Sequence, residues 1–229
     1  MNYKFEETPN FQSRINELNN TNDLFDYSFD PSLPDESNSN LKNERILKFS
    51  NLINELSTNP TTFTLAKIDN YIQMPEIKCC SKMIDDQIIK QLFDLASGAQ
   101  DNIRQNSFFV IGSIILNFPD KIPLLFYYDI ISLLSVSLSD PNEFYVSSIY
   151  FVINCLILKS SEFKQFFYKY FQFDFLVRKA YGFINSPNND KIVECFSSIT
   201  QYVGINNEID ASELFQLFTL ALAKKFSQV

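Results

Sequence analysis

The chain of 229 residues carries 27 acidic and 19 basic side chains, a formal net charge of −8, and 45% of its residues are hydrophobic. That hydrophobic fraction is typical of a folded protein with a sizeable core rather than of a disordered chain. Eight acidic and two basic side chains fall in residues 1–40, so the rest of the chain is close to neutral. This distribution argues against a nucleic-acid partner, which needs clustered Lys and Arg, and against an anionic membrane surface.

The first 40 residues are predicted to be an acidic, mobile N-terminal segment, and residues 41–229 a helical repeat domain. DPSLPDESNSN (30–40) has the composition of a linker made of turn residues. DLFDYSFD (23–30) alternates acids with aromatic residues, which suits either docking to a partner or packing as a flap on the body. MNYKFEETPN has neither the basic nor the apolar region of a signal peptide.

Apolar residues recur at spacings of three and four from residue 41 onward, as for Ile46 and Phe49, and this pattern predicts helices. Asp140 lies three positions before Glu143, the spacing at which a cap residue and a glutamate satisfy free amides at a helix start. We therefore predict an all-α fold with helices near 41–57, 63–73, 82–98, 101–117, 123–139, 142–158, 161–170, 173–185, 188–203 and 211–226.

The uncharged run 144–158 is the most apolar part of the chain. A membrane span needs about 20 apolar residues, whereas this run has 15 and includes Ser147, Ser148 and Asn154. We therefore expect a buried helix here and no membrane association.

The side chains that carry most enzyme chemistry are sparse. The chain contains no histidine, which excludes Ser-His-Asp triads, Cys-His pairs and HExxH zinc sites. Cys79, Cys80, Cys155 and Cys195 form no CxxC pair, and reduced thiols in the cytoplasm or nucleus are expected. The adjacent acids Asp85–Asp86 are expected at the positive end of a helix dipole rather than in catalysis. We expect no enzymatic activity, no metal and no cofactor.

The chain repeats itself internally. The segments 88–116 and 128–158 match at a constant offset of 41, which places 88–116 over 129–157 and pairs Phe109 with Tyr150 and Ser113 with Asn154. Residues 173–203 form a looser third copy. Helix pairs that recur every 40–47 residues are typical of armadillo and HEAT arrays. In such arrays neighbouring repeats stack to bury a shared core.

These units resemble armadillo repeats, and more narrowly those of the importin-α family, whose third helix carries Trp-x-x-x-Asn. The matching positions are Phe109 and Ser113 in one unit, and Tyr150 and Asn154 in the next. The resemblance implies a right-handed α-solenoid whose concave surface binds an extended peptide through these four side chains. The asparagine would clamp the peptide main chain, and the aromatic rings would flank basic side chains. In the alternative, Asn154 bonds a loop carbonyl between repeats.

Two functions remain open. The first is a non-enzymatic scaffold that binds a protein or peptide partner with basic segments, related to nuclear-import adaptors. The second is a structural subunit of a permanent assembly, which would dock through the broadly apolar helix 211–226. A terminal repeat that caps an array normally has a polar outer face, so this helix also predicts homo- or hetero-oligomers.

Overall fold

The computed structural model of the chain describes residues 35–139, 145–183 and 189–203, and these are helical almost throughout, with no strand. The prediction of an all-α fold is confirmed for this part of the chain. The α-helices are α1 (Asp35–Thr58), α2 (Thr62–Ile72), α3 (Asp86–Gly98), α4 (Asp101–Asn117), α5 (Ile122–Tyr127), α6 (Ile130–Ser139), α7 (Val146–Lys159), α8 (Ser161–Tyr170), α9 (Phe173–Phe183) and α10 (Asn189–Ser198). Shorter 3₁₀ helices cover Pro75–Met83 and Pro119–Lys121, and a π-helical turn covers Ile199–Val203.

Two helix boundaries differ from the predictions. Helix α1 begins at Asp35, so the second half of the predicted linker 30–40 is helical. The predicted single helix 123–139 is wrong, because α5 and α6 are separated at Asp129, which has a φ of 60°. This left-handed conformation is one that aspartate tolerates better than most residues. The division of the chain into segments 1–40 and 41–229 stays a prediction.

The turn at Asp129 is held by the start of the next helix. Its carboxylate accepts a hydrogen bond from the Ser132 amide at 3.1 Å and another from the Ser132 hydroxyl at 2.6 Å. Asp85 caps α3 in the same way, since its side chain accepts from the Ile88 amide at 3.0 Å. The structural role predicted for Asp85–Asp86 is thus confirmed for Asp85.

The helices pack in two rows. In the first, α2 contacts α4, α4 contacts α7, and α7 contacts α10. In the second row, α3 contacts α6. The two rows contact each other where α3 packs on α4 and where α6 packs on α7. We call α2, α4, α7 and α10 the inner row, and α3 and α6 the outer row.

Helix α7 is the most deeply buried member of the inner row. From Val146 to Ile157 only Phe151 keeps appreciable exposure. The expectation of a buried helix at 144–158 is confirmed for this part of the run. Within the described ranges no single helix is long and apolar enough to span a membrane, although the bent pair Asp101–Asn117 and Pro119–Tyr127 reaches that length and composition together.

Helices α4 and α7 are in close contact at Gly112. A Cβ atom placed there would lie 2.4 Å from Cε1 of Phe151, well inside van der Waals contact. The same ring packs on Phe109, with the two centroids 5.6 Å apart. The missing side chain of Gly112 is therefore what admits the Phe151 ring between the two helices.

Replacing Gly112 by alanine is expected to lower the free energy of unfolding by about 1 kcal/mol. The overpacking penalty of about 1–3 kcal/mol exceeds the gain in helix propensity of about 1 kcal/mol. Gly98→Ala is the matched control, because a Cβ at Gly98 meets nothing within 4 Å. It should be neutral or stabilising. Urea denaturation followed by circular dichroism measures both, and equal effects of the two substitutions would contradict the packing argument.

Candidate partner-binding face

Among the described residues, one side of the inner row keeps partly exposed side chains. Helix α4 is contacted by α2, α7 and α3, and its partly exposed residues Asn102, Asn106, Phe109 and Asn117 recur at helical spacing. On α7 the corresponding exposed positions are Phe151 and Leu158. We call this side the open face. Its central residues are Asp69 and Gln73 on α2, Phe109, Ser113 and Asn117 on α4, Phe151 and Asn154 on α7, and Lys191 on α10.

A carboxylate and a hydroxyl meet on the open face between α2 and α4. The Ser113 hydroxyl donates to Oδ1 of Asp69, and Nε2 of Gln73 lies 3.5 Å from Oδ2. Ser113 is only 2% exposed and Asp69 is partly buried. Burial raises the pKa of the Asp69 carboxyl, and the hydrogen bonds from Ser113 and Gln73 oppose that shift.

Asn154 lies on the adjacent helix with an unsatisfied acceptor. It is 7% exposed, and its Oδ1 atom is buried without a hydrogen-bond partner among the residues described. Leaving a buried acceptor unpaired costs about 1–3 kcal/mol. The alternative interpretation, in which the Asn154 amide NH₂ donates to a loop carbonyl, stays a prediction.

Charges on both flanks of the row act on α7. Lys191 of α10 places Nζ 5.7 Å from the centroid of the Phe151 ring and 3.2 Å from Oε2 of Glu194. The pKa of the Cys155 thiol is raised chiefly by burial and further by the Asp69 carboxylate, while Lys191 lowers it.

The structure corrects the predicted position of Tyr150. Its ring has no exposed surface, packs 5.7 Å from Phe196, and its hydroxyl donates to the Leu176 carbonyl at 2.6 Å. The prediction that Tyr150 lines a groove is therefore wrong, and Phe151 is the aromatic residue on the open face. At about 100° per residue, the two rings lie about 40° and about 60° from Asn154 on opposite sides, so helical spacing alone did not distinguish them.

The other three predicted site residues share the open face. Phe109 is partly exposed, while Ser113 and Asn154 lie at the bottom of the face with little exposure. Their role in binding a partner stays a prediction. Sequence reasoning missed Asp69 and Lys191. Asp69 precedes Ser113 by 44 residues, which is a repeat length, and that spacing was the available signal.

Other predicted features fall outside this face. Two predicted features lie outside the described residues. They are the acidic N-terminal segment up to residue 34, which includes 23–30, and the predicted apolar helix 211–226. Across the described ranges no group of three or more His, Cys, Asp or Glu side chains is placed to hold a metal ion. The four cysteines are free thiols.

A scan of the sequence against protein-family models finds no match, and a search of curated proteins finds none either. Function is therefore inferred from the geometry of the open face.

Tyr150→Phe is expected to lower the free energy of unfolding by about 1–2 kcal/mol. The substitution keeps the ring on Phe196 but leaves the buried Leu176 carbonyl without its donor. Tyr127→Phe is the matched control, because Tyr127 is 79% exposed and its loss of a hydroxyl should be neutral. Chemical denaturation measures both, and a neutral Tyr150→Phe would contradict the assigned hydrogen bond.

Asp69→Asn is expected to stabilise the protein at pH 7. Because the folded-state pKa of Asp69 is raised, the folded chain holds this proton more tightly than the unfolded chain does. Stability is then highest while Asp69 is protonated and falls as the pH rises from the unfolded-state pKa, about 3.9, through the folded value. Asparagine stays neutral, and its side-chain oxygen can still accept a hydrogen bond from the Ser113 hydroxyl.

The stabilisation should disappear below about pH 3, where Asp69 is protonated in both states. Asp94→Asn, on an exposed position of α3, serves as the control that changes one charge away from the open face. Thermal denaturation at pH 3 and pH 7 gives the comparison. Destabilisation by Asp69→Asn at pH 7 would mean that the bond to Ser113 outweighs the penalty of burying the charge.

Proposed function

We propose that the chain is a non-enzymatic protein-interaction scaffold, a right-handed, armadillo-like α-solenoid that binds an extended peptide or protein segment on its concave surface. The succession of contacts from α2 to α4, α7 and α10 supports this architecture, since each repeat of a solenoid packs only on its neighbours. The offset of 41 between the units that contain α4 and α7 fits the armadillo repeat length.

The open face is the concave surface in this proposal. Helices of the inner row contact each other more extensively than those of the outer row do. In a curved stack the row with the closer approach lies on the inside of the curve. Gly112 is a small residue that allows α4 and α7 to approach each other closely.

The unpaired Oδ1 of Asn154 carries the proposal. The Asn154 side chain has to turn toward a partner for Oδ1 to be reached, and within the described residues this acceptor gives up no hydrogen bond when it does so. A main-chain N–H of an extended segment is a donor that every non-proline residue supplies. The amide can therefore hold a peptide main chain whatever side chains the peptide bears.

The same face favours a partner with basic side chains. Asp69 is a partly buried carboxylate, and the groups that bond to it, Ser113 and Gln73, are both neutral. A lysine or arginine placed beside it would stabilise its charged form. The partly exposed ring of Phe151 offers a contact for an aliphatic stem and a cation–π attraction of about 0.5–1 kcal/mol.

The competing function, a permanent structural subunit, depends on helix 211–226, which lies outside the described residues. The scaffold is favoured because the open face combines the unpaired Asn154 acceptor with a carboxylate that is bonded to neutral groups. Residence in the cytoplasm or nucleus and kinship with nuclear-import adaptors are part of the proposal.

Selection from a displayed library of random ten-residue peptides tests it. Peptides enriched on the wild-type protein should carry lysine or arginine. Fluorescence anisotropy then compares their affinities for three variants: Asn154→Ala, Asp69→Asn and the control Asp94→Asn. The first two should bind at least tenfold more weakly, about 1.4 kcal/mol, and the control should bind like the wild type.

Thermal denaturation of the same variants separates binding from folding. Asn154→Ala removes an unpaired acceptor, so its melting temperature should be nearly unchanged. Lost stability together with unchanged affinity per folded molecule would show that Asn154 only holds the helices together. Enrichment of acidic or purely apolar peptides would overturn the assigned partner chemistry.

A further inference from the structure

Two adjacent thiols converge on one 3₁₀ helix, far from the residues that carry the proposed function. Side chains of consecutive residues on a helix normally diverge by about 100°. In Pro75–Met83 the backbone is kinked at Cys80, with φ −94° and ψ 18°. The Sγ atoms of Cys79 and Cys80 lie 3.9 Å apart as a result.

The surrounding contacts hold this arrangement in place. Ile77 and Ile84 are fully buried on either side of the pair. The Cys79 thiol donates to the Glu76 carbonyl at 3.1 Å, and the Ser81 hydroxyl donates to Oδ2 of Asp120 at 2.5 Å. Cys79 is exposed whereas Cys80 is 6% exposed, so a ligand would reach the pair through Cys79.

The geometry of adjacent cysteines does not suit a disulfide bond. Adjacent Cα atoms are about 3.8 Å apart, below the range of about 4.4–6.8 Å that disulfides normally span. A metal ion bound between the two sulfurs is not subject to this limit on the Cα–Cα distance. With a metal–thiolate bond of about 2.3 Å, one ion can contact both sulfurs at their present separation of 3.9 Å.

We propose that Cys79 and Cys80 form a binding site for a soft monovalent metal ion, Cu(I), held between two thiolates. Soft thiolate ligands select Cu(I). Structural zinc sites use four protein ligands, and this pair supplies two. Binding forms two Cu–S bonds and releases both thiol protons to solvent, so no oxidant or reductant takes part.

The experiment is an anaerobic titration of the full chain with Cu(I) against bicinchoninate, a chromophoric competitor. The wild type should take one ion per chain. Cys79→Ser and Cys80→Ser should each weaken binding at least tenfold. Cys155→Ala is the matched control, because it removes a buried thiol elsewhere and leaves the pair intact. Its affinity should equal that of the wild type.

Three results would overturn the proposal: serine variants that bind as tightly as the wild type, loss of binding in Cys155→Ala, or tighter binding of Zn²⁺ than of Cu(I). Circular dichroism checks that Cys80→Ser, a substitution at a buried position, still folds. Should it not fold, Cys79→Ser at the exposed position decides the matter. Peptide binding to the open face should be unaffected by Cys79→Ser, so this test is separate from that of the proposed function.

Discussion

The contact of the Phe151 ring with the bare backbone at Gly112 is the constraint on which the rest of the inner row depends. It fixes how closely α4 and α7 approach, and it places Phe151 beside Phe109. That approach in turn buries Ser113 and Asn154 at the bottom of the open face. A bulkier residue at position 112 would separate the two helices and expose these polar groups to water.

The open face combines features that stability alone does not favour. A folded core normally pairs its buried polar atoms, yet Asn154 keeps an unpaired acceptor and Asp69 is a partly buried acid bonded to neutral groups. Both groups would be better satisfied by a ligand that donates hydrogen bonds and carries positive charge. A partner that supplies the missing donor or a positive charge would gain binding free energy at these groups, and for this reason we propose this face as the binding surface.

Helical periodicity was sufficient to predict most helices, because each inner-row helix buries a face that the sequence marks with apolar residues. Helical periodicity was insufficient where tertiary contacts determine a helix boundary or the direction of a side chain. The break between α5 and α6 depends on the left-handed conformation of Asp129. A single aspartate in an apolar run did not predict that break. Helical periodicity does not distinguish Tyr150 from Phe151. The contacts of Tyr150 with the Leu176 carbonyl and the Phe196 ring show that Tyr150 is the one that faces the core. The pairing of Asp69 with Ser113 joins two helices 44 residues apart and follows from the stacking itself.

The position of α7 between α4 and α10, with Tyr150 also bonded to α9, has a consequence for motion. Segments with many buried contacts open least often, and their amide protons exchange with solvent most slowly. Asn154 and Phe151 thus belong to a rigid part of the chain, where side chains lose little conformational freedom when a ligand arrives. A ligand that lies across α7 would meet a surface already set in shape, so the ordering required for binding would fall on the ligand rather than on this protein.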